Sequence, residues 1–324
     1  VDSEYRIQPL DFSGISTYSL ESRKSKVNTS LFGKPLDGSE NVLGFISKLP
    51  HILAGESLRK LIRAILYARS SGKPILWGFG GHVIKVGLGP IMNDLIHSGF
   101  VTGIAMNGSA AIHDFEVALR GTTSEEVEEQ IGEGRFGMAR ETGQYMNAAI
   151  NAAAAVRIGL GEGLGRFIRN GETVGIQFQH RSSSVLSEAY AARLPVTVHV
   201  AIGTDIIHAH PEASGKSLGE ATYQDFRLFC TMAKELHEGG VYINVGSAVV
   251  LPEVFLKAVS VVRNLGHPLE EFTTANLDFI QHYRPTQNVL KRPTQNSGQS
   301  IAITGHHEIM VPLIAAALKG SLEK

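Results

Sequence analysis

Histidine, aspartate, asparagine and serine recur in this chain directly behind short apolar runs that end in glycine, and those are the residue types from which a reactive site can be built. The run PILWGFGG is followed by His82, VTGIAMNG ends on Asn107 and Gly108 ahead of Ser109, and PVTVHVAIGTD ends on Thr204 and Asp205 with His208 and His210 close behind. VYINVGSA contains Gly246 and Ser247, EFTTANLD ends on Asp278, and SIAITG leads into His306, His307 and Glu308. Five of the thirteen histidines fall in these positions. Imidazole is the side chain that exchanges protons near neutrality, so His210, His306 and His307 are candidate acids and bases, with Lys291 or Arg284 available to bind a carboxylate or phosphate. No metal is assigned. His208, His210, His307 and Glu308 are the set from which a histidine-and-carboxylate centre, zinc first, could be drawn. Each residue also has an ordinary role: Ser109 as a helix N-cap, Gly246 as a turn residue, the loop histidines as solvated groups.

These residues share a place only if the runs before them are strands of one sheet. Helical spacing in SLRKLIRAILYARSSG (Leu58, Leu61, Ile62, Ile65, Leu66) and in TYQDFRLFCTMAKEL, LPEVFLKAVSVVRNLG and IMVPLIAAALKG alternates with the apolar runs. Alternation of this kind predicts a doubly covered, mostly parallel sheet of about six strands, because right-handed crossovers put helices on both faces. In such a sheet ligands bind beyond the carboxyl ends of the strands, where the polar residues lie; a nucleotide-sized site is the expectation. A long helical insertion, TSEEVEEQIGEGRFGMARETGQYMNAAINAAAAVRIG, separates the second strand from the third. Its GEGRFG matches G-x-G-x-x-G in spacing, but an acidic helical stretch precedes it instead of a buried strand, so it reads as a helix stop and restart.

Composition narrows the classes. Thirty Lys and Arg against thirty-one Asp and Glu leave a net charge of −1, which gives no field for nucleic acid or an anionic membrane. The single cysteine, Cys230, excludes an internal disulfide framework and favours a reducing compartment; with no apolar run of membrane-spanning length, a cytoplasmic protein is expected.

SRKSKV, GHVIKVGLGPIMNDLIHSGFVTGIAMNGSAAIHDFE, GTTSEEV with GRFGMARET, and SIAITGHHEIMVPL together resemble the deoxyhypusine synthase family, from about Ile15 to Leu318. The resemblance implies one Rossmann-like domain over 1–324, with 1–55 as an extension packing on it or on a neighbouring subunit. It also implies a homotetramer with sites between subunits, and bound NAD. Family enzymes oxidise spermidine with NAD, hold its aminobutyl group on a lysine as an imine, and pass it to a lysine of a translation factor. Thr204 and Asp205 match the family's Thr-Asp, the aspartate contacting NAD ribose; His82, Asn107, Gly108, Ser109, Gly246, Ser247 and His306 complete the expected cofactor set. His210 stands where the family has its second acidic residue, Leu251, Pro252 and Glu253 where it has Lys-His-His, and His306 where it has an aspartate. Counting from Arg284 and Pro285, the catalytic lysine falls on Pro293 and the tryptophan on Lys291.

The function expected is therefore an NAD-linked enzyme of polyamine or aminoalkyl-transfer type with an altered substrate, Lys291, His210 and His307 being catalytic and Arg284, Gln287 and Glu253 binding substrate. Two alternatives stand beside it: a small-molecule enzyme on the same scaffold using rim histidines, metal-assisted in one form, and a non-catalytic member. The expected partners are a small molecule, further copies of the chain and, in the family reaction, a protein lysine.

Overall fold

The computed structural model describes residues 4–322. Six strands form one sheet, all parallel: β1 (Ile75–Phe79), β2 (Gly103–Asn107), β3 (Val196–His199), β4 (Val241–Val245), β5 (Thr273–Asp278) and β6 (Gln299–Thr304). Their order is β3-β2-β1-β4-β5-β6, so the chain reverses its direction of travel between β1 and β4. This is the Rossmann-like doubly wound arrangement, and its crevice lies beyond the carboxyl ends of β1 and β4, where the strand order reverses. The strands align with the apolar runs of the sequence, and the sheet is wholly parallel where mostly parallel was expected.

Alternation of side chains along each strand fills two apolar layers. Ile75, Trp77 and Phe79 of β1, with Ile104, Met106, Val241, Ile243 and Leu277, pack under one set of helices. These are α1 (Val42–Lys48), α2 (Leu53–Ser70), α4 (Gly89–His97), α5 (Gly108–Arg120) and α13 (His307–Gly320), with α3 (Gly81–Lys85) opening the β1 crossover. Leu76, Ala105 and Tyr242 face the opposite layer, built from α10 (Gly215–Lys234), α11 (Val250–Asn264) and a π-helix at Thr286–Lys291 that continues the single turn α12 (Tyr283–Pro285). Tyr242 stacks on Phe255 with centroids 3.9 Å apart. That second layer also takes polar strand residues in pairs, as Asn244 donates to Asn276 at 2.7 Å.

The insertion between β2 and β3 is longer than the sequence suggested: α6 (Val127–Ile131), α7 (Arg140–Ala155), α8 (Leu160–Asn170) and α9 (Val185–Ala191). The GEGRFG stretch is the turn between α6 and α7, with Gly134 and Gly137 at positive φ. Two buried aspartates secure the insertion. Asp114 accepts from the backbone N–H groups of Val185 and Leu186 at the start of α9, and Asp225 accepts from Gly161 and Val198, tying α8 to β3. Residues 4–30 are exposed; from Leu31 the extension is bonded to the chain, where His51 donates to Leu31 and Lys34 to Lys48. Among the described residues no helix is long and apolar enough to cross a membrane.

Candidate active site at the carboxyl ends of the strands

Two glycines close the crevice. A Cβ on Gly80 would lie 2.7 Å from the carbonyl oxygen of Gly246 and 3.5 Å from Asn107 Nδ2, so the loops after β1 and β4 meet backbone to backbone. Gly246 has φ +62, a left-handed conformation that glycine adopts without strain. Its open side faces His307, whose ring carbon would be 2.9 Å from a Cβ there. His307 is fully buried and its Nε2 donates to the carbonyl of Leu277 at 3.2 Å, with Asp278 Oδ1 3.6 Å away. Burial holds its pKa below the usual imidazole range, so the ring is neutral near pH 7, and its Nδ1 is sealed without a partner. His82, Phe279 and His306 flank it: the His82 and His307 rings meet edge to face at 5.3 Å, and Phe279 and His306 lie parallel at 6.3 Å.

On the other side of β1, the helix α5 follows β2 with no intervening loop. Asn107 is therefore both the last strand residue and the N-cap, its Oδ1 accepting from Ala110 at 2.9 Å. Ser109 is the second residue of the helix and is not the cap; its Oγ instead fills the space that a Cβ on Gly81 would take. Gly108 makes room for Asp205, whose carboxylate fills the space that a Cβ at that position would take. Asp205 lines a cavity of about 200 Å³ together with Lys85, Ser109, His113, Glu116 and Thr204. Burial pushes its carboxyl up to about 6.

Lys85, His113 and Glu116 were not singled out from sequence. His113 and Glu116 sit three apart on α5, a spacing that puts them on one face, but only the fold turns that face toward Asp205. Thr123 donates to Glu116 Oε2 at 2.5 Å and therefore accepts from His113 Nδ1 at 2.7 Å, which leaves the lone pair of the neutral ring on Nε2. Burial, with the Lys85 ammonium adding to it, lowers the His113 pKa to about 4.

The remaining expected residues are held in contacts of their own. His210 donates from Nε2 to Gly137 at 2.9 Å and lies against Gly143, clasping the β3–α10 loop to the turn before α7. Ser247 is buried and its Oγ accepts from Leu251 at the start of α11. Glu253 is engaged by Lys257, by Asn288 at 2.9 Å and by Arg284 at 3.4 Å, which holds its pKa down; Gln287 lies half-buried beside this cluster and accepts from the Arg292 N–H through its carbonyl. Lys291 is exposed near the opposite end of the sheet. Arg263, in the last turn of α11, donates to the carbonyls of both Leu269, ahead of β5, and Pro293, so the segment at Lys291 runs toward the amino ends of the strands.

A centre drawn from His208, His210, His307 and Glu308 does not assemble within the chain. The first two follow β3 and the last two follow β6, which are the opposite edges of the sheet, about 24 Å apart at about 4.8 Å per strand. Among the described residues no three His, Cys, Asp or Glu side chains converge as metal ligands. A larger cavity of about 820 Å³ lies beside the start of β3, lined by Arg169, Arg193, Pro195 and Val196. It is at the amino end of the sheet, away from the crevice.

No family model and no curated protein sequence matches the chain. Solved structures do. The ternary complex of AgrE with ornithine and NAD+ superposes with a TM-score of 0.54 at 13% identity, covering 82% of this chain and 33% of that one. A conserved protein of LOR/SDH type from Methanococcus maripaludis S2 gives 0.50 at 16% identity, over 84% of this chain and 71% of that one. A protein assigned as a deoxyhypusine synthase from Entamoeba histolytica gives 0.50 at 13% identity, over 88% and 95%. The chain spans about a third of the length of ArgZ and AgrE. At these identities the likeness is one of fold: the chain carries the Rossmann-like architecture that these proteins share.

Proposed function

We propose that the chain is an NAD-linked enzyme acting on an amine-bearing small molecule, of aminoalkyl-transfer type with a substrate altered from the deoxyhypusine synthase pattern. The observation that carries the reading is the glycine-to-glycine contact of Gly80 and Gly246 at the point where the strand order reverses. Glycines at that point leave the rim without side chains, as a pyrophosphate drawn to backbone N–H groups requires. The neighbouring Asp205, which lines the adjoining cavity, fits the ribose of a dinucleotide. The sequence resemblance to deoxyhypusine synthases, and a structural neighbour that binds ornithine and NAD+, support the same cofactor and an amine substrate.

Bound NAD would supply a hydride acceptor for the carbon next to the substrate nitrogen. The chain's own residues do the rest. Asp205 accepts from a ribose hydroxyl, while Gly80, Gly81 and Gly246 admit the phosphates. His113, neutral and with its lone pair on Nε2, would accept a hydrogen bond from the substrate nitrogen. Lys85 lines the same cavity and is the amine in position to form an imine, in place of Lys291.

A second reading has its own observation. His307 beside Asp278, with His82 edge-on, is an acid–base grouping that needs no lysine, and it would serve a different small-molecule reaction on the same scaffold. Titration with NADH separates the cofactor claim from the chemistry. Trp77, the only tryptophan, lies on β1 three residues before Gly80, so bound NADH should quench its emission by energy transfer. Saturable quenching, displaced by NAD, is expected; none at millimolar NADH would end the NAD reading. Borohydride trapping with spermidine or ornithine then distinguishes the two chemistries: an adduct mapped to Lys85 supports imine transfer, and turnover without an adduct supports the histidine pair.

A further inference from the structure

The β3–α10 loop holds a pair of buried groups that the proposed reaction does not use together. The side chains of Asp205 and His208 are 9% and 6% exposed, and Asp205 Oδ2 faces His208 Nε2 at 3.9 Å. Neither atom has a hydrogen-bond partner, and both are sealed from solvent. His208 Nδ1 accepts from the Gly203 N–H at 3.1 Å, so the single proton of the neutral ring is on Nε2, on the side of the carboxylate. A buried donor and a buried acceptor left unmade are costly, and a movement of about 1 Å would join them. Asp205 also lines the cavity at α5; with Oδ2 sealed, Oδ1 is the oxygen left to a ligand.

We propose that His208 is a positioning residue for Asp205, its Nε2–H closing on Oδ2 when a ligand hydroxyl engages Oδ1, so that the carboxylate is kept as an oriented acceptor. That the hydroxyl belongs to a ribose rests on the NAD reading. The arrangement is specific to a hydrogen-bond donor at Oδ1, because an anionic group there would meet the carboxylate charge directly. Lys85 of α3, His113 and Glu116 of α5, and Glu125 from the loop after α5 are the other charged or titratable groups around the cavity. Removing His208 should leave these untouched and act on Asp205 alone.

The test is NAD affinity by calorimetry from pH 5 to 8 for the wild type, His208→Leu and His208→Gln, with the carboxyl carbon of Asp205 followed by NMR over the same range. Leucine fills the buried volume without a donor, whereas glutamine restores an N–H near the place of Nε2. Loss of the donor should raise the Asp205 midpoint by about one unit, so that at pH 5.5 His208→Leu binds NAD about tenfold more weakly than wild type, the gap narrowing toward pH 8. His208→Gln should recover the wild-type profile, which a purely structural role for the ring would not predict. Equal profiles for wild type and His208→Leu overturn the role of His208 and leave the NAD reading standing. If the wild type binds no NAD at any pH, the NAD reading fails. An unchanged Asp205 midpoint in His208→Leu then overturns this inference too, and a raised midpoint upholds it for another hydroxyl ligand.

Discussion

Gly80→Ala tests the crevice with one methyl group. Gly80 has φ −90 and ψ 177, a conformation open to any residue, so alanine adds no backbone strain there and only the contact is probed. The new Cβ would stand 2.7 Å from the Gly246 oxygen, and the loops must part by 0.7 Å to reach the 3.4 Å of ordinary contact. Both partners are backbone, so no side chain can swing aside. Overpacking of this kind costs about 1–3 kcal/mol. For a chain of this length that lowers Tm by about 2–4 °C. Gly246→Ala would mix the same contact with the strain of positive φ and is less informative. In the NADH titration through Trp77, Gly80→Ala should weaken binding at least tenfold, since widening the crevice removes the close backbone approach on which a pyrophosphate depends. Gly14→Ala, with nothing within 4 Å, is the control and should match wild type in both measurements. A Gly80→Ala protein with wild-type Tm would refute the backbone contact itself. Lowered Tm with unchanged NADH affinity would keep the contact and remove the crevice as the binding place.

Other substitutions probe the framework around it. Asp205 has its folded pKa raised to about 6 by burial, so it stabilises the fold relative to its ionised form below about pH 4 and loses that contribution as pH rises through 6. Asp205→Asn should therefore be more stable than wild type above pH 6, by up to about 3 kcal/mol, with the advantage gone below pH 4 in denaturant melts across pH. Asp225→Ala leaves the buried N–H groups of Gly161 and Val198 without an acceptor and should cost about 2–5 kcal/mol in urea unfolding; a change under 1 kcal/mol would mean the α8–β3 tie is incidental. Tyr242→Phe keeps the stack on Phe255 and removes a buried hydroxyl that has no partner, so Tm should hold or rise slightly, whereas a clear fall would reveal a bond to an internal water.

The amino-acid sequence by itself determined the six strands, the alternation of strand and helix, and the rim on which Gly80, Asn107, Asp205, Gly246 and His307 stand. Those are local matters: apolar β-branched runs, helical spacing and glycine ends are written within a dozen residues of each position. The meeting of Gly80 with Gly246, and of Asp205 with Lys85 and His113, was decided only by tertiary structure, since strand order sets which loops become neighbours and no local signal records it. Strand order likewise parted His208 and His210 from His307 and Glu308, by sending β3 and β6 to opposite edges. Lys291 shows the same limit over a shorter distance. Seven residues after Arg284 it could be counted as near the site, but the intervening helix carries the chain down the side of the sheet, and Arg263 fixes its far end at the amino edge.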